Sequence, residues 1–111
     1  MAQTMNYADI LTQVLRAESQ IQFRTIPRLK IVSSCDRETG QFLLVMIGWD
    51  NQKHWVHSIV FHARLIDGKV IIETDLTEDG LKPLLLEAGI RAEAFLSDRG
   101  RDRLEAPQAA A

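Results

Sequence analysis

The sequence predicts an α+β domain: a two-layer structure with an antiparallel sheet of about four strands and helices packed on one face. Three observations carry this. Residues 41–78 hold three runs rich in Val, Ile, Leu, Phe and Trp, separated by the polar turns Asp50–Lys53 and Asp67-Gly68. An Asp-Gly pair between alternating apolar runs is among the strongest short-range hairpin signals. An amphipathic helical pattern precedes this stretch and a second helical pattern follows it, so the meander has one helix at each end of the chain to cover it.

Taken in order, Met5 to Gln20 has helical spacing. Tyr7, Ile10, Leu11, Val14 and Leu15 step by three or four, with Asp9, Thr12, Gln13 and Arg16 on the other side. Thr4 or Asn6 supplies the capping oxygen. Such a helix is marginal alone in water and must lay its stripe on the sheet. Residues 19–28 form a connection, with Ile26 pushed towards extended geometry by Pro27. Leu29–Cys35 reads as a strand with Leu29, Ile31, Ser33 and Cys35 on one face. Asp36–Gly40 is a turn ending in a glycine suited to a left-handed conformation.

Phe42–Trp49 is apolar on both faces, with Leu43, Val45, Ile47 and Trp49 on the side opposite Phe42, Leu44 and Met46. This pattern fits a central strand covered on both sides, or covered on one side and meeting a partner on the other. His54–Ile66 is long for one strand, and a bend or bulge is expected in it. Strict alternation puts Trp55, His57, Ile59, Phe61, Ala63 and Leu65 on the helix-facing side, and His62 and Arg64 on the other. Lys69–Asp75 closes the meander. A helix follows from about Glu78–Gly80, with Thr77 as N-cap, Pro83 in its first turn and Gly89 as its stop. Ile90–Leu96 adds a further helical turn or a short edge strand.

Length and composition bound the function. At 111 residues the chain is one domain, over residues 1–97, with the charged and then Ala-, Pro- and Gln-rich segment 98–111 read as a flexible tail. A net charge of −2 supplies no broad basic footprint for DNA or an acidic membrane. The lone Cys35 allows no intramolecular disulfide and fits a reducing cytoplasm, and no signal peptide or membrane-spanning run is visible.

Candidate chemistry is sparse. His54, His57 and His62 invite a metal reading, but strand alternation separates His57 from both neighbours, and the extended chain separates His54 from His62 by about 27 Å. Cys35 has no flanking motif for a nucleophile. Asp75, Glu78 and Asp79 suggest a magnesium cluster, but capping and the helix dipole at a strand end followed by a helix N-terminus explain them better. Leu84–Arg91 has a faint helix-turn-helix look, but Arg91–Phe95 is too short and too little basic for a recognition helix. No cofactor, metal site or catalytic constellation is expected, and the protein is read as a non-enzyme.

The ordered markers Gly48-Trp49, His62, Asp67-Gly68-Lys69, then Asp75, Thr77-Glu78 and Gly80, and finally Ala88-Gly89-Ile90, together with a Tyr-containing first helix, run from about Tyr7 to Phe95. In this order and spacing the chain resembles the XisI family, the fdxN element excision controlling factors. It departs from the family where Ala94–Ser97 runs into Asp98-Arg99-Gly100-Arg101, in place of an Ile- or Leu-rich segment with an aromatic tail. The Asp50–Lys53 turn and Trp55 are also individual to this sequence. The resemblance implies a small α+β protein that works beside XisH, a nuclease-fold partner, in controlling excision of a DNA element by a separate recombinase.

The expected function is therefore that of an accessory factor that binds an XisH-like protein and meets DNA only through that complex, with homodimerisation a further option. Aromatic and Arg side chains dominate interfaces, so Trp49, Trp55, His62 and Arg64 are the expected contacts. Two alternatives remain: a ligand-binding or enzymatic domain using His62 with the Asp75–Gly80 corner, and a DNA-binding module using the C-terminal helix.

Overall fold

The computed structural model describes residues 6–21, 23 and 25–97. Helix α1 spans Tyr7–Glu18, and the strands are β1 Leu29–Asp36, β2 Gln41–Trp49, β3 Trp55–Ile66 and β4 Lys69–Asp75. Helix α2 spans Lys82–Ala88, followed by a single 3-10 turn at Ala92–Ala94. The four strands form one antiparallel sheet in the order β1-β2-β3-β4, the expected meander. The expected flexible tail, 98–111, lies outside the described residues.

Asn6 is the cap of α1: its Oδ1 accepts from Asp9 N–H at 2.8 Å. Both helices lie on the same face of the sheet. The core between the layers is built from Leu11 and Leu15 of α1, Phe42 and Leu44 of β2, Phe61 of β3, Val70 of β4, and Leu85 and Ile90 around α2, each 2% exposed or less. The Asp67-Gly68 turn has both residues at positive φ, 50° and 76°, the mirror-image turn whose twist suits a hairpin. Ile90–Leu96 takes both expected forms: the 3-10 turn, then Phe95 bridging to Val70 and Leu96 N–H donating to Val70 C=O along the β4 edge.

Strand β3 carries the expected bulge, but two features differ from the sequence expectation: the faces taken by its first residues and the start of helix α2. Leu44 pairs with Phe61 while Val45 pairs with Ile59, which leaves Val60 as the extra residue. Its carbonyl accepts from Leu76 N–H at 2.8 Å. The extra residue reverses the alternation. Phe61, Ala63 and Leu65 face the helices as expected, but Trp55, His57 and Ile59 face away from them. The side chains of His57 and His62 therefore share a face, contrary to strict alternation. A second irregularity in β4 leaves Glu73 as the extra residue opposite His62 and Ala63.

Helix α2 starts at Lys82 rather than near Glu78–Gly80, and Thr77 is not its cap. Residues 76–81 make a loop stapled by Asp75. Asp75 Oδ1 accepts from Thr77 N–H at 3.0 Å and from the Thr77 hydroxyl, and Oδ2 accepts from Leu81 N–H at 2.8 Å. Removing a half-buried acceptor shared by three donors leaves each of them to find water. Asp75→Ala is expected to cost about 2 kcal/mol, measured as a lower urea midpoint with an unchanged slope, whereas Glu78→Ala should be nearly neutral.

Candidate functional site

With the helices on one face, the other face of the sheet is open. By register it presents Lys30 and Val32 from β1, and Leu43, Val45, Ile47 and Trp49 from β2. Strand β3 adds Trp55, His57, Ile59, His62 and Arg64. Val32, Val45 and Ile59 form one apolar row across three strands, and Trp49 pairs with Trp55 beside it. Four of these side chains are large and apolar yet markedly exposed: Val32 44%, Trp49 44%, Trp55 56% and Ile59 45%. Scattered apolar residues at a surface mean little, but a contiguous patch of this kind marks an interaction surface.

The two indole rings meet edge to face, with centroids 5.2 Å apart and planes inclined at 71°. This geometry suits the ring quadrupoles and holds both tryptophans in place without burying them. The turn that joins their strands is tied down as well. Asp50 Oδ1 accepts from Gln52 and His54 N–H, each at 2.8 Å, and these bonds, that of His54 foremost, hold the carboxyl below its ordinary pKa. Asn51 reaches across to the Thr25 carbonyl at 2.6 Å.

All four residues expected to make contact lie on this face, but not in one role. Trp49 and Trp55 form the exposed end. His62 and Arg64 lie at the other end and are engaged within the chain. His62 Nε2–H donates to Gln41 Oε1 at 2.7 Å, and Arg64 is 3.4 Å from Glu73 Oε2. Sequence reasoning missed Ile59 and His57, which it assigned to the helix side. The signal was present in Ile59-Val60-Phe61, a run apolar in both phases, where alternation can change phase without leaving a polar mark. Lys30 and Lys69 add positive charge at the borders of the face, and both are exposed.

The alternative joining His62 to the Asp75–Gly80 corner is not supported by the geometry. His62 is on the open face, whereas Thr77–Gly80 line a cleft on the helix side. The Asp75 carboxylate is committed to the loop staple. Among the described residues no group of three His, Cys, Asp or Glu side chains could hold a metal ion. Helix α2, with seven residues followed by a single 3-10 turn, lacks the second helix that a helix-turn-helix requires.

Cys35 is half-buried on the helix side, beside Thr12. Burial pushes its thiol pKa up, against smaller opposing effects from the Thr12 hydroxyl and Arg16. The neutral thiol is thus favoured in the fold, and its share of stability is lost as pH rises past the pKa of the unfolded thiol. Alkylation by iodoacetamide should be slower than that of an unfolded-chain cysteine at pH 8 and should accelerate at higher pH. Equal rates in native and urea-unfolded protein would contradict this.

The chain matches the family model described as XisI protein over residues 1–98. It belongs to the XisI family. The fold of this XisI-family protein is also that of solved structures. A XisI-like protein from Anabaena variabilis aligns with a TM-score of 0.68 and 17% identity, covering 82% of each chain. The fdxN element excision controlling factor XisI from Anabaena variabilis aligns with a TM-score of 0.52 and 24% identity, covering 79% of each chain. At these identities the likeness establishes the shared α+β architecture. Comparison with curated proteins finds no match. Among the described residues no helix is long and apolar enough to cross a membrane.

Proposed function

We propose that this XisI-family protein is a non-enzymatic accessory factor. It docks an XisH-like, nuclease-fold partner on the open face of its sheet and thereby controls that partner's part in DNA element excision. The observation that carries the reading is the exposed apolar patch of Val32, Ile59, Trp49 and Trp55, framed by Lys30. Half-exposed aromatic and aliphatic side chains on a rigid four-stranded sheet are poor tools for bond-making chemistry and good ones for a pre-organised interface. Family membership and the name of one solved relative, an excision controlling factor, supply the biological setting.

In this reading the protein acts in the cytoplasm, needs no cofactor and touches DNA only through the complex. Its net charge of −2 fits that indirect role, since an unaided DNA binder relies on counterion release by many basic groups.

Co-expression with the XisH-like protein from the same genome provides the test. Co-elution as a stable complex at micromolar concentration supports the reading. A folded protein that elutes separately from that partner overturns it, and a homodimer that hides the same face would then be the competing occupant.

A further inference from the structure

The helix layer covers only part of its side of the sheet. Helix α1 ends at Glu18 and α2 begins at Lys82, and between these ends a cleft of about 410 Å³ opens towards the sheet. This is within the size range of pockets that take a ligand group or an anchoring side chain. Its floor is apolar: Ile31, Met46 and the bulged Val60. Its walls come from the two connecting loops and the first turn of α2, and three large aliphatic side chains stand exposed around one opening, Ile21 at 49%, Leu76 at 70% and Leu84 at 41%.

Among the described residues the charge at this opening has one sign: Glu18, Glu78 and Asp79 line it, and no Lys, Arg or His does so. The cation nearest to Glu78 and Asp79 in sequence is engaged elsewhere, as Lys82 Nζ lies 5.1 Å from the centre of the Phe95 ring. Asp75, at the back of the loop, spends its oxygens on Thr77 and Leu81 and fixes the acidic loop in position.

We propose that this cleft is a second docking site, for a protein segment in which a large apolar side chain is flanked by lysine or arginine. The apolar side chain would enter between Leu76, Leu84 and Ile21 onto the floor formed by Met46 and Val60. The flanking cations would meet Glu18, Glu78 and Asp79. Charge complementarity selects this occupant: a purely apolar or acidic segment would leave three carboxylates desolvated without partners. The cleft lies on the opposite side of the sheet from the tryptophan patch, so this proposal stands or falls separately from the open-face reading.

The test is titration of the isotopically labelled full chain with the peptide Gly-Arg-Leu-Phe-Lys-Gly, followed by NMR. Amide shifts should concentrate on residues 31, 46, 60, 76–82 and 84. The charge-reversed peptide Gly-Glu-Leu-Phe-Glu-Gly should produce no comparable shifts. The double variant Glu78→Gln/Asp79→Asn, both positions exposed, should keep the fold and lose about three- to tenfold in affinity. Raising the salt from about 50 to about 500 mM should weaken binding in the same direction.

Equal binding of the two peptides, an unchanged affinity in the double variant, or shifts confined to the open face would each overturn the proposal. So would butylammonium chloride producing the same shifts with the same affinity, which would make the cleft a small-amine site. A chain ending at Ser97 that binds the peptide at least tenfold more tightly would also overturn it, by assigning the cleft to the chain's own Arg99–Leu104 segment.

Discussion

Gly48→Ala is expected to destabilise the domain by about 3 kcal/mol or more, enough to unfold much of a marginally stable population. Gly48 sits in β2 at φ 137°, a conformation that L side chains rarely adopt. An added Cβ would lie 2.0 Å from the Arg28 carbonyl oxygen and 3.1 Å from Leu29 Cα. Both neighbours are backbone, and the Arg28 carbonyl is already held as acceptor for Trp49 N–H at 3.2 Å. Relief therefore requires the start of β1 to separate from the end of β2. Gly68→Ala is the control. It shares a positive φ of 76° but has nothing within 4 Å of the added atom, so only about 1 kcal/mol of conformational cost is expected. Urea unfolding followed by far-UV circular dichroism separates the two. Equal losses at both positions would show that close approach at Gly48 contributes nothing.

The same glycine shows which parts of the structure were legible in the sequence. Gly48-Trp49 is one of the markers that carry the resemblance to the XisI family, and the geometry gives it a physical reason: only a residue without Cβ lets β1 approach there. The meander was legible because its turns use residues with a mechanism, as in Asp67-Gly68. The first helix was legible because its apolar stripe has the helical period. Local alternation could not place the bulge at Val60, because Ile59, Val60 and Phe61 are all apolar and hide the change of phase. The start of α2 was obscured for a different reason. Thr77 resembles a cap in sequence, but the helix begins after Leu81, whose N–H is held by Asp75 six residues back, a contact no local pattern announces.

These two misreadings bear directly on the surfaces. The bulge turns Trp55, His57 and Ile59 outwards, onto the face where alternation placed His62 and Arg64. It also brings Val60 to the floor of the cleft and ties its carbonyl to Leu76. One extra residue in β3 thus shapes both sides of the sheet. The late start of α2 leaves Thr77–Leu81 as a loop rather than a helical turn, and that loop forms the acidic wall of the cleft.

Replacing Trp49 and Trp55 with alanine should weaken binding of the XisH-like partner more than any other exposed pair on the open face. Tryptophan anchors at the centre of a desolvated interface typically cost at least 2 kcal/mol when truncated, about thirtyfold in affinity for each. The two rings support each other, so the double variant is expected to lose less than the sum of the single losses. Stability should change little, since both side chains are about half exposed and neither belongs to the buried core. The effect should therefore appear in calorimetric titration with the partner and not in urea unfolding. The chain has only two tryptophans, and both are in this pair, so its indole fluorescence reports on this surface alone. Partner docking should shift that emission to the blue as water is excluded from the rings. Lys30→Glu, at the border of the same face, should mainly slow association and change its salt dependence. Native partner affinity in the Trp49→Ala/Trp55→Ala variant, or partner binding with no change in tryptophan emission, would remove the open face as the docking surface.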